Sequence, residues 1–364
     1  MVAKSARFGK IAAGAILTIV TALVIAFIWF NREPHAQQKD LGTPVPVPAT
    51  GAGVYWGMHR DPSAYGKGFS SASREAVLTD AEARLGRKFD IDHQFYRWGD
   101  ALPNAYLRWT AAQGRYPFIS LIAVDRGGKP VQWADIASGK QDHYLSKVAK
   151  GIKQWGRSAY FSFHHEPEHE ICPDNNPINC DRTKFNGTTE DYQAAWRHIV
   201  GLFRAAGVTN LSYVWITTGS RFTNPKDYRY GPNLYPGSDV IDWIASDPYN
   251  FPAARGGMVD YSRWKSLGQL IGPWYRWSIK TGKPLMLGEF GCRTDPSMPD
   301  RRAQWFAQAE RELQTDFPQI KAVDYYDNSP RDEPGNDWRL FTSDTAGLAV
   351  FRAWGLNAHF DTRH

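Results

Sequence analysis

The chain has 364 residues and a formal net charge of +6, with 43 Lys and Arg against 37 Asp and Glu. The first 50 residues hold five of these basic and two of these acidic residues, which leaves 38 basic and 35 acidic residues and a net charge of +3 for the remainder. Because this excess is small and no long basic run occurs, nucleic acid is not expected as a partner.

An apolar run near the N-terminus suggests a membrane segment. Residues 11–30 carry no charge over 20 positions, which is long enough to cross a bilayer. Three basic residues precede the run and only Arg32 closely follows it. The positive-inside rule therefore predicts a cytoplasmic tail at 1–10 and a chain facing the extracytoplasmic side. We predict an uncleaved transmembrane signal anchor; a cleaved signal peptide, giving a secreted form, is the alternative.

The rest of the chain divides into a linker and one domain. Residues 31–50 are predicted to form a Pro-rich linker, since Pro and other residues alternate at 43–48 and such segments are extended and semi-rigid. Residues 51–364 are long enough for a single large domain. We expect this domain to be monomeric.

Strand-like and helix-like segments alternate through the domain. Strands are predicted at 53–56, 95–98, 117–122, 160–163, 211–216, 240–245, 284–289 and 320–326. Helices are predicted at 73–85, 102–113, 141–155, 188–206 and 263–280, with a further helix capped by Asp300. Eight strands that alternate with helices predict an α/β fold, a (β/α)₈ TIM barrel.

The fourth predicted strand runs directly into titratable residues. Positions 164–170 hold three histidines and three glutamates within seven residues. Residues 165–169 fit the H-E-x-x-H zinc pattern, but that pattern needs a helix to bring both histidines to one face. Pro167 lacks a backbone N–H and biases Glu166 away from helical geometry. A zinc hydrolase is therefore disfavoured, no metal or cofactor is expected, and a carboxylate acting as general acid/base is preferred.

Two glutamates stand at the ends of predicted strands. Glu166 follows strand four and Glu289 ends strand seven, so both would lie at the carboxyl-terminal mouth of the barrel. Two carboxylates across one mouth are what glycoside cleavage requires. Arg97, Trp215, Tyr249 and Tyr325 end other strands and are candidate substrate-binding residues.

The aromatic composition points the same way. Fifteen Trp residues occur in the chain, and flat aromatic faces stack on the C–H faces of sugar rings. The candidate platforms are Trp56, Trp98, Trp215, Trp243 and Trp338. Most Trp residues in proteins nevertheless serve core packing, so we expect two or three of these to line the cleft.

Two of the three cysteines lie in one loop. Cys172 and Cys180 are eight positions apart, and Cys292 is distant. A disulfide across this loop suits an extracytoplasmic compartment. Other pairings stay open from sequence alone.

Three segments together resemble glycoside hydrolase family 26, which includes β-mannanases. These are His165-Glu166 after a strand, the Gly-Glu-Phe-Gly stretch at 288–291 and the segment at 133–140. The resemblance implies a retaining (β/α)₈ enzyme with Glu166 as acid/base, Glu289 as nucleophile and His165 as a sugar ligand. It also implies that Tyr249 hydrogen-bonds the nucleophile. Mannanases of the family carry a Trp-rich loop where this chain has 168–180, so mannan specificity is left open.

These observations lead to one prediction and two alternatives. We predict a membrane-anchored retaining endo-β-glycanase, β-mannanase-like, acting on a polysaccharide or oligosaccharide. Its substrate-binding residues are predicted to be His165, Arg97, Tyr249, Trp215, Trp98, Trp56 and Tyr325. The two carboxyl groups should lie roughly 5–5.5 Å apart, with Arg97 and Tyr249 keeping Glu289 ionised. The alternatives are a catalytically silent polysaccharide-binding barrel of an envelope assembly and the disfavoured zinc hydrolase.

Overall fold

The structure is a computed structural model, and it describes residues 45–51, 53–250, 260–329 and 337–361. The predicted signal anchor and most of the predicted linker lie outside these residues. Within the described ranges, no helix combines the length and apolar character needed to cross a membrane.

Nine parallel strands in the described ranges form the centre of the fold. They are β1 (Tyr55–Arg60), β2 (Ile91–Trp98), β3 (Tyr116–Asp125), β4 (Ala159–Phe163), β5 (Leu211–Thr217), β6 (Trp243–Ser246), β7 (Tyr249–Asn250), β8 (Leu285–Cys292) and β9 (Ile320–Asp327). The order is β6-β5-β4-β3-β2-β1-β9-β8, and pairing of β6 with β8 closes the ring. The two-residue β7 pairs with the carboxyl end of β8. The predicted eight-stranded TIM barrel is thus confirmed.

Eight α-helices are described around the barrel. They are α1 (Ser71–Leu85), α2 (Ala105–Ala112), α3 (Trp133–Ala137), α4 (Asp142–Trp155), α5 (Thr189–Ala205), α6 (Leu267–Ser278), α7 (Arg301–Thr315) and α8 (Thr345–Gly355). The short α3 and the final α8 were not among the predicted helices. Thr188 caps α5, because its side chain accepts from Asp191 N while the Asp191 side chain accepts from Thr188 N. Asp300 precedes α7 as predicted, but its side chain makes no capping hydrogen bond.

Two apolar layers hold the barrel together. Along each strand, successive side chains point alternately to the helices and into the lumen. The helix-facing layer is the larger core, and the lumen is filled near the strand starts by residues such as Phe118, Tyr160 and Met286. Val47 joins this second cluster, and its carbonyl accepts from Ser212 Oγ at 3.0 Å. The end of the predicted linker therefore packs against the start of β5, which leaves the carboxyl-terminal end of the barrel for a site.

Candidate active site

A cavity of about 730 Å³ opens where the parallel strands end. Residues on or just after β2, β3, β4, β5, β8 and β9 line it, and both candidate glutamates are among them. In barrels of this kind the carboxyl-terminal mouth is where catalytic residues gather. The structure therefore brings Glu166 and Glu289 to one cavity, as the sequence predicted.

Glu289 belongs to a buried strand. Every residue of β8 is buried, and Glu289 is 6% exposed. The Tyr249 hydroxyl donates a hydrogen bond to Glu289 Oε2, which is the contact that the family resemblance implied. The residue before it must be small, since a Cβ at Gly288 would lie 2.9 Å from Asp247 Oδ1.

Burial controls the protonation of Glu289. Removal from water disfavours the charged carboxylate and raises its pKa to about 7, while the Tyr249 hydrogen bond acts in the opposite direction. Arg97 makes no contribution, because it is exposed at the end of β2 and does not line the cavity. The expectation that Arg97 and Tyr249 together keep Glu289 ionised was therefore wrong for Arg97.

Glu166 lies on an unusual turn. Its φ is 52° and that of His164 is 46°, a left-handed conformation that costs non-glycine residues of order 1–3 kcal/mol each. Pro167–His169 then form a short 3₁₀ turn. The Glu166 side chain is 25% exposed, and His169 Nε2 lies 3.8 Å from its Oε2.

The same turn separates the two histidines of the H-E-x-x-H pattern. His165 Nε2 lies 3.8 Å from Glu289 Oε1, whereas His169 approaches Glu166. Residues 165–169 are not α-helical, so the geometry that the zinc motif needs is not formed. Within the described ranges, no group of three or more His, Cys, Asp or Glu side chains is arranged to hold a metal ion.

His165 lines the cavity as a neutral ring. Its ring lies 5.0 Å from that of Phe95, and burial lowers its pKa to about 4, with neighbouring His164 lowering it further. A neutral imidazole 3.8 Å from Glu289 makes neither a salt bridge nor a hydrogen bond. It can both donate and accept hydrogen bonds, which suits a hydroxyl-rich ligand.

Five predicted ligands do not reach the cavity. Trp56, Trp215 and Tyr325 are fully buried in the helix-facing core, and Trp98 is buried with its Nε1 donating to Gln141. Arg97, as noted, is exposed outside the cavity. Strand alternation explains the errors, since Tyr325 faces the helices while its neighbour Tyr326 lines the cavity.

Several cavity residues were missed or underweighted in the sequence. Phe95 and Tyr326 supply aromatic surface that was not predicted. Of the five candidate Trp platforms, Trp338 alone lines the described cavity, fewer than the two or three expected, and its ring lies 4.6 Å from that of Tyr249. Asp247 also lines the cavity, and its carboxyl is buried. Its pKa is raised well above the usual range by burial and then by Glu289 and Glu166. Tyr326 and Asp247 both lie at strand ends, which the sequence indicates. Whether their side chains face the lumen depends on the register of the strands, which the sequence alone does not give.

Glu168 anchors the turn that carries Glu166. It is 3% exposed, and its Oε1 accepts from the backbone N and the hydroxyl of Thr218, each at 3.1 Å. Burial raises the pKa of Glu168 to about 7. The third glutamate of the turn, Glu170, lies 3.5 Å from His164.

The predicted disulfide is confirmed. Cys172 and Cys180 are bonded across their loop, with Cα atoms 5.0 Å apart. Cys292 is buried and is not disulfide-bonded. The bond closes the segment that follows the Glu166 turn.

The chain is similar to known proteins in sequence and in fold. No family model matches the chain. Endoglucanase H of Acetivibrio thermocellus is 28% identical over 281 residues, which is 76% of this chain but 29% of that protein. The chain thus spans less than a third of the length of that curated relative.

Solved structures show the same fold. A family 26 β-mannanase from Bacteroides ovatus matches with a TM-score of 0.55 and 16% identity over 85% of this chain and 90% of the mannanase. The family 26 domain of an endo-β-mannanase/endo-β-glucanase from Prevotella bryantii matches with a TM-score of 0.54 and 14% identity over 83% and 89% of the two chains. These findings confirm that the chain shares the fold of solved glycoside hydrolases of family 26, and its curated relative is named an endoglucanase.

Proposed function

We propose that this chain, which shares its fold with the glycoside hydrolases of family 26, is a retaining endo-β-glycanase that cleaves a β-linked polysaccharide by double displacement. The observation that carries the proposal is the single cavity lined by Glu166 and Glu289. The two carboxyl groups lie in unlike surroundings, one buried in a strand and one partly exposed on a turn. Two carboxyls with different environments are what two different catalytic roles need.

Glu289 acts as the nucleophile. Its carboxylate attacks the anomeric carbon while the bond to the leaving oxygen breaks, which gives a covalent glycosyl-enzyme. Tyr249 engages Oε2, so Oε1, on the side of His165, is the oxygen that attacks. The Tyr249 hydrogen bond also favours the ionised form that the attack requires.

Glu166 acts as the general acid and then the general base. It donates its proton to the leaving oxygen in the first step, and in the second it removes a proton from the water that attacks the anomeric carbon. The second step releases the sugar and restores both carboxyl groups to their starting forms. Partial exposure of the Glu166 side chain suits this role, since it must receive water in each cycle.

The substrate backbone is a β-linked hexose polymer. The curated relative is named an endoglucanase, and the solved neighbours include β-mannanases and a combined mannanase and glucanase. Glucose and mannose backbones are therefore the first substrates to test. Phe95, Tyr326 and Trp338 provide apolar surface for the sugar rings.

We further propose that the enzyme is anchored through 11–30, faces the extracytoplasmic side and acts as a monomer. The charge asymmetry around the apolar run supports this orientation. The disulfide between Cys172 and Cys180 suits an oxidising compartment.

The test uses the purified full chain against glucomannan, mannan, mixed-linkage β-glucan and xylan. We expect a rapid fall in viscosity, as internal cleavage gives, and oligosaccharides released first as the β-anomer in proton NMR. Release of the α-anomer would mean inversion. Binding without any cleavage would instead support the silent polysaccharide-binding barrel.

A further inference from the structure

The cavity is polarised between an aromatic wall and a basic wall. Phe95, Tyr326 and Trp338 come from β2, β9 and the segment after β9. On another side, Arg221 follows β5, and Arg263 and Lys265 precede α6. A neutral sugar has no charge to pair with these three cations, whereas a sugar that carries an anionic group does.

Nearby carboxylates only partly neutralise these cations. Arg221 lies 3.4 Å from Asp227, but the same carboxylate pairs with Arg229 at 3.1 Å. One carboxylate thus serves two guanidinium groups. Lys265 has no ion-pair partner among the residues that the structure describes.

Arg263 is paired only at the surface. It lies 3.3 Å from Asp260, and the two side chains are 57% and 45% exposed. Asp260 also accepts from the backbone N and the hydroxyl of Ser262. Exposed pairs of this kind are weak, typically about 0.2–1 kcal/mol, so a ligand carboxylate can compete for Arg263.

The basic wall continues into a second depression beside the cavity. This depression has a volume of about 500 Å³ and is lined by Ser262, Arg263, Trp264, Lys265 and Gln269. It shares Arg263 and Lys265 with the main cavity. An aromatic ring, an amide and two cations therefore line one depression that adjoins the catalytic cavity.

Neighbouring side chains pack against the Trp264 ring in this depression. The Trp264 ring lies 6.3 Å from that of Tyr261, and the Arg301 guanidinium carbon lies 5.2 Å from its centroid. The Trp305 indole N–H donates to the Lys265 carbonyl at 2.9 Å, which fixes the neighbouring backbone. The platform and the cationic side chains are thus held in one short segment.

We propose that this depression is a glycan subsite for a sugar that carries a carboxylate, on the chain that Glu166 and Glu289 cleave. The sugar ring stacks on Trp264, and its carboxylate pairs with Arg263 and Lys265. The inference rests on the proposed function and narrows its substrate to acidic β-glycans. Two kinds of group carry such a carboxylate: a uronic acid in the backbone, or an acidic acyl group on a neutral sugar.

The experiment compares three forms of one polymer with the purified full chain. Glucomannan is used unmodified, lightly oxidised at C6 to uronic acids, or lightly succinylated. For one modified form or both, we expect kcat/KM roughly 3- to 10-fold above the parent at low salt, as two exposed charge contacts provide. The preference should fall as ionic strength rises. The form that is preferred identifies the source of the carboxylate.

The products give an independent readout. Mass spectrometry should find the acidic unit at one fixed distance from the newly formed chain end. In an Arg263→Gln/Lys265→Gln variant, the acidic-to-neutral ratio of kcat/KM should drop towards one, and the fixed position should be lost. A matched variant, Lys147→Gln/Lys150→Gln, removes two exposed charges of α4 and should leave both the ratio and the position unchanged.

The outcomes separate this inference from the proposed function. Cleavage of neutral glucomannan with no preference for either acidic form, or with acidic units at random positions, overturns the subsite and leaves the glycanase standing. Equal loss of preference in both double variants shows a general charge effect and also overturns the subsite. No cleavage of any of the three polymers removes both proposals.

Discussion

The two candidate carboxylates lie in regions that are built in opposite ways. Glu289 belongs to a regular strand in which every residue is buried. Glu166 belongs to a turn with left-handed backbone at two non-glycine residues, and its side chain is 25% exposed. The buried strand fixes the Glu289 carboxyl in place, whereas the turn exposes the Glu166 carboxyl to solvent.

This difference matches what each role demands. A nucleophile gains from a fixed position, because its geometry is then prepared before the reaction begins. An acid/base must exchange a proton with water in every cycle. In this chain different local structures provide the two properties, a buried strand for Glu289 and a turn directly after β4 for Glu166. Substitutions in the two regions should therefore have different consequences.

The largest effect is expected for Glu289→Ala. Removal of the nucleophile should lower kcat on the order of 10⁴-fold or more for every substrate, while oligosaccharide affinity is mostly retained because the nucleophile acts chiefly in the transition state. Kinetics on polymer and aryl glycosides, with calorimetry for binding, check both points. Added azide should give, if anything, the α-glycosyl azide, by attack from the vacated side.

Glu166→Ala should have a smaller and more selective effect. Loss of general acid/base catalysis should cost roughly 10²- to 10⁴-fold on substrates with poor leaving groups. An activated aryl glycoside needs little protonation, so its first step should survive better. Azide should rescue this variant by attacking the glycosyl-enzyme and give the β-glycosyl azide, identified by NMR. The reverse pattern of azide products would mean that the two roles are exchanged.

Tyr249→Phe tests whether the strand-held carboxyl depends on its hydrogen bond. A buried hydrogen bond to a charged group is worth about 1.5–3 kcal/mol, so kcat/KM should fall roughly 10- to 100-fold. The Tyr249 hydroxyl lowers the pKa of Glu289, and its removal should raise that pKa. The acidic limb of the kcat/KM profile should then move to higher pH.

Tyr213→Phe is the matched control for this change. The Tyr213 hydroxyl is buried without a hydrogen-bond partner among the described residues, and its ring packs in the helix-facing core. The control should leave the acidic limb in place. A similar shift in both variants, or no shift for Tyr249→Phe, would contradict the role given to Tyr249.

The contrast between the regular strand of Glu289 and the sharp turn of Glu166 also explains which features the sequence predicted correctly. The barrel and both glutamates follow from strand alternation and strand ends, which are local patterns. Pro167 in the zinc-like pattern correctly indicated that this segment is not α-helical. The choice of Tyr325 over Tyr326 failed because it depends on which face of β9 points into the lumen, and a shift of one residue exchanges the faces.

Other errors have a tertiary origin. Trp56 and Trp215 have the residue type of a sugar platform, but they pack against Phe89 and Trp277 respectively in the core. Composition cannot distinguish a core Trp from a platform. The basic wall was missed because Arg221 and Lys265 are far apart in sequence and come together only when the loops after β5 and before α6 meet at one cavity.

The smallest expected effect concerns Glu168, which anchors the exposed turn to the rigid barrel. Burial raises the pKa of Glu168 from 4.5 to about 7 in the folded chain, so the native state binds this proton more tightly than the unfolded state. Its contribution to the free energy of unfolding is fully present below about pH 4.5 and is lost as the pH rises through 7. Between pH 5 and 8.5 the wild type should lose about 1–3 kcal/mol from this group. Glu168→Gln should lose less, because the amide is neutral throughout and still accepts from Thr218. Chemical denaturation across this pH range measures the difference, with Glu75→Gln on α1 as a control that keeps the wild-type slope. If Glu168→Gln kept that slope too, the buried carboxyl would not be the group that titrates, and the anchoring of the Glu166 turn would not depend on its proton.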